Sequence, residues 1–283
     1  MKKNNAPKRK ITGFTLIELM VSMVISLFLI GGVINIYLTS KQTSEAREEL
    51  SSIDDNARAA IRILTQTIEH AGYATPVHID FDDYIVGTGV TVNAGICAGG
   101  GGNITDSTLI LDSHDGATDV ITVTALADAA SAGGAISRDC SGQALAVACQ
   151  YPNAANLDGT KIYNSFFIQV PAGETEPSLF CNGSVAATSV RMAEGVEDMQ
   201  FRYGINTTGD LAADKYLTAA QMTASLWQSI VSVQVALLVR SSKNVRNINE
   251  SHTFQLLDKT VTTNDRRQRA VFTTEILLRN VLL

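Results

Sequence analysis

The chain has 283 residues, of which 45% are hydrophobic and 18% are charged, and its formal net charge is −6. This length and hydrophobic share suffice for one large domain or two small ones with a sizeable core. Residues 1–13 carry five basic side chains and no acidic one, so the rest of the chain is more acidic than the whole. A strongly acidic surface argues against a general nucleic-acid-binding protein, because phosphate contacts require Lys and Arg.

The first predicted element is an apolar segment, residues 14–38, in which Glu18 is the single charged residue. At about 1.5 Å per residue, a helix of this length crosses a hydrocarbon core of about 30 Å. Basic residues precede the segment and only Lys41 follows it closely. The positive-inside rule therefore predicts a cytoplasmic N-terminus and export of the chain from residue 39 onward.

Three interpretations of this apolar segment differ in where the chain is cut. A secretory signal expects a shorter apolar core followed by a small-residue cleavage site, and residues 39–42 provide no such site. A plain membrane anchor explains the length but leaves Glu18 unexplained, because a carboxylate in lipid is costly and usually functional. The third interpretation is a short leader that is removed in front of the apolar segment, so that the mature chain keeps its helix.

The junction from Gly13 to Glu18 reads GFTLIE and follows a short basic leader. It resembles the class III signal of type IV prepilins and type II secretion pseudopilins. This resemblance implies that the prepilin peptidase removes residues 1–13, cleaving between Gly13 and Phe14, and methylates the new amine of Phe14. Glu18 then matches the fifth-residue glutamate of the mature family members. We expect it to pair with the terminal amine of a neighbouring subunit, since losing one member of a buried ion pair typically costs ~3–5 kcal/mol.

Beyond the membrane segment, the helical period continues as the amphipathic half of one long helix, residues 39–75. Apolar residues recur at spacings of three and four, which marks one face of a helix: Ala46, Leu50, Ile53, Ala57, Ile61, Leu64, Ile68 and Ala71. The helix is predicted to end near Gly72, because glycine favours a C-terminal cap and Pro76 prevents continuation. This face is expected to lie on a folded head, and a dimeric coiled coil is the alternative that the pattern also allows.

After the helix, the period changes to that of strands. Five strands are predicted, at residues 119–124, 161–170, 196–203, 229–240 and 270–278. A short helix is predicted over residues 217–225 with Thr218 as its N-cap, and residues 86–107 and 125–150 are expected to be long loops. The fold class is therefore α+β, with a long N-terminal helix packed on an antiparallel sheet in a β-rich head, residues 76–283.

Four cysteines, all beyond the apolar segment, are candidates for disulfide bonds: Cys97, Cys140, Cys149 and Cys181. They form no CxxC pair, and no histidine lies at zinc-finger spacing from them. An even number of cysteines in an exported region favours two disulfides over free thiols. Three connectivities are possible, and the sequence does not choose among them.

Three acidic residues near the middle of the chain are candidate metal ligands: Asp112, Asp115 and Asp119. Carboxylates suit Ca²⁺, but the spacing is not that of an EF-hand, so a solvated turn is the favoured interpretation. The four histidines are scattered, and no HExxH, GxSxG or P-loop sequence is present. The sequence therefore predicts no metal, no cofactor and no catalytic residue, and the protein is not expected to be an enzyme.

A basic cluster near the C-terminus consists of Arg266, Arg267 and Arg269. These side chains allow two interpretations: contact with DNA, or ion pairs with acids of the same acidic surface. The composition favours ion pairs, and nucleic acid is not expected as a partner.

The last third of the chain carries a second resemblance. Residues 194–204, EGVEDMQFRYG, resemble a segment of PilW-type minor pilins, and residues 233–240 and 266–280 resemble later parts of the same family. The turn at residues 70–73 closes the helix in the same style. Residues 77–185 resemble no family, so their loops are expected to carry whatever is particular to this protein.

The PilW-type family implies a type IV pilin-like fold and a subunit of low abundance at the filament tip, where it primes polymerisation. The implied partners are other minor pilins, the tip adhesin, the major pilin and the prepilin peptidase. The implied location is the inner membrane, with the head in the periplasm, and then the extracellular pilus tip. Such a filament supports twitching motility, adhesion or DNA uptake.

Two alternative functions fit the same architecture. The first is a J-type minor pseudopilin of a type II secretion system, because PilW-type minor pilins and J-type pseudopilins resemble each other. The second is a binding module at the tip, with the loops of residues 77–185 contacting a surface or DNA.

Overall fold

The structure is a computed structural model that describes residues 15–73, 84–87, 117–127, 138–145, 150, 161–183, 189–210 and 212–280. The chain forms two compact units, Met1–Glu48 and Glu49–Leu283. Within these described residues, the regular structure includes one α-helix and ten strands.

The helix, α1, spans Leu16–Glu69 and contains 54 residues without a break. It ends three residues before the predicted cap, and Gly72 then adopts a φ of +70°, the left-handed conformation that glycine favours after a helix. The side chain of Asn280 donates hydrogen bonds to the carbonyl oxygens of Glu69 and Ala71 at 3.3 and 3.2 Å. These bonds satisfy carbonyl groups that the end of a helix leaves without partners.

In the first unit, the helix exposes a continuous apolar surface. Its large hydrophobic side chains from Leu16 to Leu38 are all exposed within this unit. The helix is long and apolar enough to cross a membrane. This is the arrangement that the apolar segment predicts, because lipid rather than protein then covers these side chains.

In the second unit, the predicted apolar face of α1 packs into the main core. The buried apolar residues are Ile53, Ala57, Ala60, Leu64 and Ile68 of the helix, together with Ala71 just after it. Two expectations for this face were wrong at single positions. Leu50 was expected on this face but is 47% exposed, while its neighbour Glu49 is buried. Ile61 was also expected there but is only partly buried, and the adjacent Ala60 is fully buried instead.

The ten strands are β1 (Ile121–Leu126), β2 (Lys161–Gln169), β3 (Ser178–Gly183), β4 (Ser189–Glu194), β5 (Val196–Ile205), β6 (Lys215–Leu217), β7 (Ile230–Arg240), β8 (Glu250–Leu256), β9 (Lys259–Asp265) and β10 (Arg269–Leu277). They form three antiparallel sheets. The first has the order β1-β2-β3-β4, the second has the order β10-β7-β5-β6, and the third is the β8-β9 hairpin. The α+β fold class, a long helix packed on antiparallel β-structure, is therefore confirmed, although the described strands form three sheets rather than one.

The inner face of the second sheet meets the helix. Alternate residues of β5 and β7 lie in the same core as α1: Met199, Phe201, Tyr203, Val233, Val235, Leu237 and Val239. The β8-β9 hairpin packs on the opposite face, where Leu256 contacts Ala236 and Leu238. The second sheet is thus covered on both sides, which explains why β7 is hydrophobic along nearly its whole length.

Gly195 marks the point where the chain passes from the first sheet to the second, between β4 and β5. Its φ is +73°, and a Cβ atom there would lie 2.7 Å from the carbonyl oxygen of Arg240. The backbone N–H of Arg240 donates to the Gly195 carbonyl at 2.9 Å. Only glycine fits this combination of a left-handed backbone and close approach.

The predicted helix at residues 217–225 was wrong. The structure has two short 3-10 turns, Ala219–Gln221 and Trp227–Ser229. The backbone N–H of Gln221 donates to the carbonyl of Thr218 at 3.0 Å, and the Gln221 side chain accepts from the Thr218 N–H at 3.1 Å. A segment this short gains too few hydrogen bonds to extend into an α-helix.

Candidate functional site

The N-terminal junction begins the described part of the chain at Thr15. The backbone N–H of Glu18 donates to the carbonyl oxygen and the side-chain oxygen of Thr15 at 3.1 and 3.3 Å, so Thr15 closes the first turn of α1. Gly13 and Phe14, the predicted cleavage and methylation residues, lie outside the described residues.

Glu18 itself lies in the first turn of α1 and is exposed. Its carboxylate forms no ion pair with any residue from 15 to 280 that the structure describes. A carboxylate on an apolar, membrane-spanning surface needs a partner to offset its desolvation.

An ionic cluster centred on the buried side chain of Arg269 joins the ends of four strands in the head. Arg269, the first residue of β10, donates from Nε to Glu197 Oε2 at 2.5 Å and from Nη2 to Asp265 Oδ2 at 2.7 Å. Arg240, the last residue of β7, contacts Glu197 Oε1 at 3.2 Å. The Arg269 side chain is only 3% exposed, so its charge depends on these acids for stabilisation.

The cluster extends to the loop between β2 and β3. Glu176 in this loop contacts Arg240 at 3.4 Å and Arg267 at 2.7 Å, and Arg240 Nη2 donates to the Thr175 carbonyl at 2.7 Å. These bonds connect the two four-stranded sheets at the end where Gly195 also joins them.

Proton affinities in this cluster follow from its ion pairs. Hydrogen bonds from Arg269 lower the pKa of Asp265 to about 2, although burial opposes this effect. Burial acts to lower the pKa of Arg269, but its bonds to Asp265 and Glu197 outweigh burial and raise it. Both partners are therefore charged throughout the neutral pH range.

The structure decides between the two interpretations of the C-terminal arginines. Arg267 and Arg269 pair with acids of the same chain, and Arg266 is exposed, with its carbonyl oxygen bonded to the backbone of Val245 and Arg246. The expectation of ion pairs is confirmed for two of the three residues. Paired guanidinium groups have little capacity left for phosphates.

Sequence reasoning did not find the acidic partners of this cluster. Glu197, Arg240 and Arg269 each lie in one of the three segments that resemble the PilW-type family, and each stands at or beside a strand end. The presence of charged residues at strand ends in those segments was the sequence feature that could have indicated an ionic cluster. Only the strand pairing brings them together, because Glu197 and Arg269 are far apart in sequence.

A second buried ion pair fastens the β8-β9 hairpin to the second sheet. Lys259 Nζ lies 2.6 Å from Asp198 Oδ2, and the Asp198 side chain is nearly completely buried. Gln200 donates to the other oxygen of Asp198 at 2.7 Å, and Lys259 also contacts the carbonyl of Ala117. Asp198 thus has a partner for each carboxylate oxygen, as a buried charge requires.

One disulfide lies among the described residues and joins Cys140 to Cys181. It attaches the loop at residues 138–145 to β3, and Asn164 of β2 accepts a hydrogen bond from the Cys140 N–H at 2.8 Å. Cys97 and Cys149, the other two candidates, lie outside the described residues.

Only one of the three candidate calcium ligands lies among the described residues. Asp112 and Asp115 lie outside the described residues, whereas Asp119 is buried and accepts a hydrogen bond from the N–H of Phe201 at 2.9 Å. Asp119 therefore has a structural role in holding β5. In the described ranges, no three His, Cys, Asp or Glu side chains are grouped to hold a metal ion.

Two family models match the chain. The model described as Type IV Pilus-assembly protein W matches residues 165–280, and the model described as the prokaryotic N-terminal methylation motif matches residues 8–34. Together, the two matches support a PilW-type minor pilin. The PilW match contains the whole second sheet and the ionic cluster, and the methylation match contains the Gly13–Glu18 junction.

No curated protein matches this chain. Among solved structures, it is similar to a type IV-like pilin, TTHA1219, from Thermus thermophilus. The two share 10% identity with a TM-score of 0.41, and the similarity covers 81% of this chain and 97% of that chain.

Proposed function

We propose that this PilW-type pilin sits at the tip of a type IV pilus, where it primes assembly together with other minor pilins. The observation that supports this position is the size of the folded unit, Glu49–Leu283, which is carried by one membrane-spanning helix. A unit of that size crowds the shaft of a filament, in which neighbouring subunits surround each head. At the tip, no further subunit is stacked above it.

Processing at the N-terminus makes the chain competent for assembly. The prepilin peptidase cleaves between Gly13 and Phe14 and methylates the new amine, and the methylation-motif match at residues 8–34 supports this step. Before assembly, the helix anchors the chain in the inner membrane with the head in the periplasm. After assembly, the head is at the extracellular tip.

Glu18 acts in assembly rather than in catalysis. Its carboxylate pairs with the terminal amine of a neighbouring subunit, and this pairing sets the axial register of the helix in the filament. The support is its exposure in the first turn of α1 without an ion pair in the described part of its own chain. The pairing offsets the desolvation of both charges among the packed apolar helices of the filament.

The partners of the head are other minor pilins, the tip adhesin and, below them, the major pilin. Twitching motility, adhesion or DNA uptake then belong to the filament as a whole. The neutralisation of Arg267 and Arg269 by acids of the same chain supports protein partners over direct nucleic-acid binding by this surface.

Processing is tested by replacing Gly13 with Val in the full-length protein. The expected result is a precursor that keeps its leader, measured by intact mass, together with few pili in sheared fractions. Asn5→Ala, elsewhere in the leader, is the matched control and should leave both cleavage and piliation normal. Normal piliation by an uncleaved Gly13→Val protein would overturn the proposal.

The tip position is tested by gold labelling of a tag fused to the head on intact pili. Label at filament ends, and recovery of other minor pilins with the tagged protein from sheared pili, are the expected results. Label spread along the shaft contradicts the tip position. Normal pili with a defect in protein secretion would assign the chain to a secretion pseudopilus instead.

A further inference from the structure

Glu49 is the first buried residue of α1 in the second unit, and it is only 5% exposed. Its carboxylate accepts hydrogen bonds from the backbone N–H groups of Ser242 and Lys243 at 2.9 and 3.2 Å, and from Ser242 Oγ at 3.0 Å. Lys243 Nζ lies 3.4 Å away. Four donors thus converge on one carboxylate from the turn that follows β7.

This turn, residues 241–243, is held in place by bonds that do not involve Glu49. Arg267 Nη1 donates to the carbonyl oxygens of Ser241 and Ser242 at 2.7 Å each, and the Ser241 N–H donates to the Gln268 carbonyl at 2.8 Å. Arg267 is itself paired with Glu176. The backbone donors are therefore pre-positioned for an anion, which reduces the entropic cost of binding the carboxylate.

Among the residues that the structure describes, Glu49 is the buried residue of this helix turn. Residues 50–52 are all exposed, and the next buried helix residue is Ile53. A helix segment without buried side chains gains little from tertiary packing. The bonds of Glu49 are consequently what fixes this turn to the folded unit.

The ionisation of Glu49 is matched to this role. Burial alone would raise its pKa, but the hydrogen bonds from Lys243 and Ser242 outweigh burial, so its pKa lies below the usual 4.5. The charged groups that face it are Lys243, in direct contact, and Arg267, which holds the same turn. A lowered pKa means that the contribution to stability is present above the usual pKa and is lost as the pH falls.

We propose that Glu49 and the turn at residues 241–243 form a clasp that sets the point at which α1 becomes fixed to the head. Opening the clasp moves this point by one helical turn, from Glu49 to Ile53, and leaves the sheets intact. This inference does not depend on where the protein sits in a filament.

The experiment is hydrogen exchange on the full chain in detergent micelles, comparing wild type with Glu49→Gln. Glutamine keeps the shape but removes the charge, so the amides of Ser242 and Lys243 and those of residues 50–53 should exchange at least roughly tenfold faster. Amides in β5 and β7 should keep their protection. Glu48→Gln, at the adjacent exposed position, is the matched control and should behave as wild type.

Equal protection in Glu49→Gln and wild type overturns the clasp, and so does loss of protection that extends to β5 and β7. A second measurement needs no variant. In the wild type, exchange at the same amides, corrected for its intrinsic pH dependence, should accelerate as the pH falls below the usual pKa of a glutamate. A wild-type profile without this acceleration would equally overturn the proposal.

Discussion

Arg269 Nε donates to Glu197 Oε2 at 2.5 Å, and this pair ties the first residue of β10 to the second residue of β5 across the intervening strand β7. The pair is shielded from water because the Arg269 side chain is almost completely buried. Asp265 completes the cluster with a bidentate contact to the same guanidinium group at 2.7 and 2.8 Å. The Arg269 side chain thus links β5 and β10 of the second sheet to β9 of the third sheet.

Arg269→Met should destabilise the head strongly. The substitution leaves Glu197 and Asp265 without their principal cation in a partly buried setting, and breaking a buried ion pair in this way costs about 3–5 kcal/mol. Denaturant unfolding of the full chain in micelles measures the change. Arg266→Met, at an exposed neighbouring position, should change the free energy of unfolding by no more than about 0.5 kcal/mol. Equal effects of the two substitutions would contradict the importance of the cluster.

The head should lose stability in acid in a way that depends on Asp265. Its pKa is about 2 in the folded state, against the usual 3.8. The folded form therefore holds this proton more weakly, and the contribution is present above the usual pKa and lost as the pH falls towards 2. Because the Asp265 side chain is 39% exposed, solvent screening limits the effect to on the order of 1 kcal/mol.

Asp265→Asn checks this pH dependence. The variant should be less stable than wild type at pH 7, and the difference should shrink as the wild-type carboxylate becomes protonated. Asp258→Asn, in the exposed β8-β9 turn, serves as control. A difference between wild type and Asp265→Asn that stays constant from pH 7 to pH 2 would show that charge is not the cause.

Gly195→Ala should cost more stability than the same change at another glycine with the same backbone conformation. The strain of a positive φ costs on the order of 1 kcal/mol, and the 2.7 Å approach to the Arg240 carbonyl adds a clash. Gly173 has a φ of +83° with no atom within 4 Å of an added Cβ, so Gly173→Ala should show the strain alone. Thermal unfolding of the two variants separates the cost of backbone strain from the cost of the clash. Equal shifts in Tm would show that the clash contributes nothing.

The second sheet shows how much of this fold can be predicted from sequence. Strand β7 alternates Val233, Val235, Leu237 and Val239 on one face, and it forms where that period indicates, within one residue of the predicted start. The β8-β9 hairpin was missed because its turn contains Leu257 and Asp258 rather than glycine or asparagine. Leu257 adopts a φ of +49°, which is uncommon for such a residue and gives no turn signal.

Contacts between distant segments explain two further misses. A periodic pattern places Leu50 and Glu49 beside each other at the edge of the apolar face, and it cannot show which of them the head covers. The turn after β7 provides backbone N–H donors at that level, so the carboxylate is buried and the leucine is not. The Glu197–Arg269 pair likewise appears only once the strand order is known.

The disulfide between Cys140 and Cys181 predicts a specific linked peptide. Non-reducing peptide mapping should recover these two cysteines in one cross-linked fragment. Replacing both Cys140 and Cys181 with Ala should lower the free energy of unfolding by about 2–4 kcal/mol, because the unfolded chain regains the freedom of the closed loop. A different linked pair in the mapping would contradict this connectivity.

Glu18→Ala should separate processing from assembly. The side chain follows the cleavage junction and lies exposed in the first turn of α1, so its removal leaves the peptide bond after Gly13 accessible to the peptidase. Intact mass should therefore show a cleaved and methylated chain, whereas recovery with other minor pilins from sheared pili should fall sharply. The reason is the proposed pairing, by which the terminal amine of the neighbouring subunit would lose its buried counter-charge at a cost of about 3–5 kcal/mol. Glu48→Ala, exposed on the same helix but outside the apolar segment, should be processed and recovered as wild type. Normal recovery of Glu18→Ala would show that the register of the filament is set by other contacts.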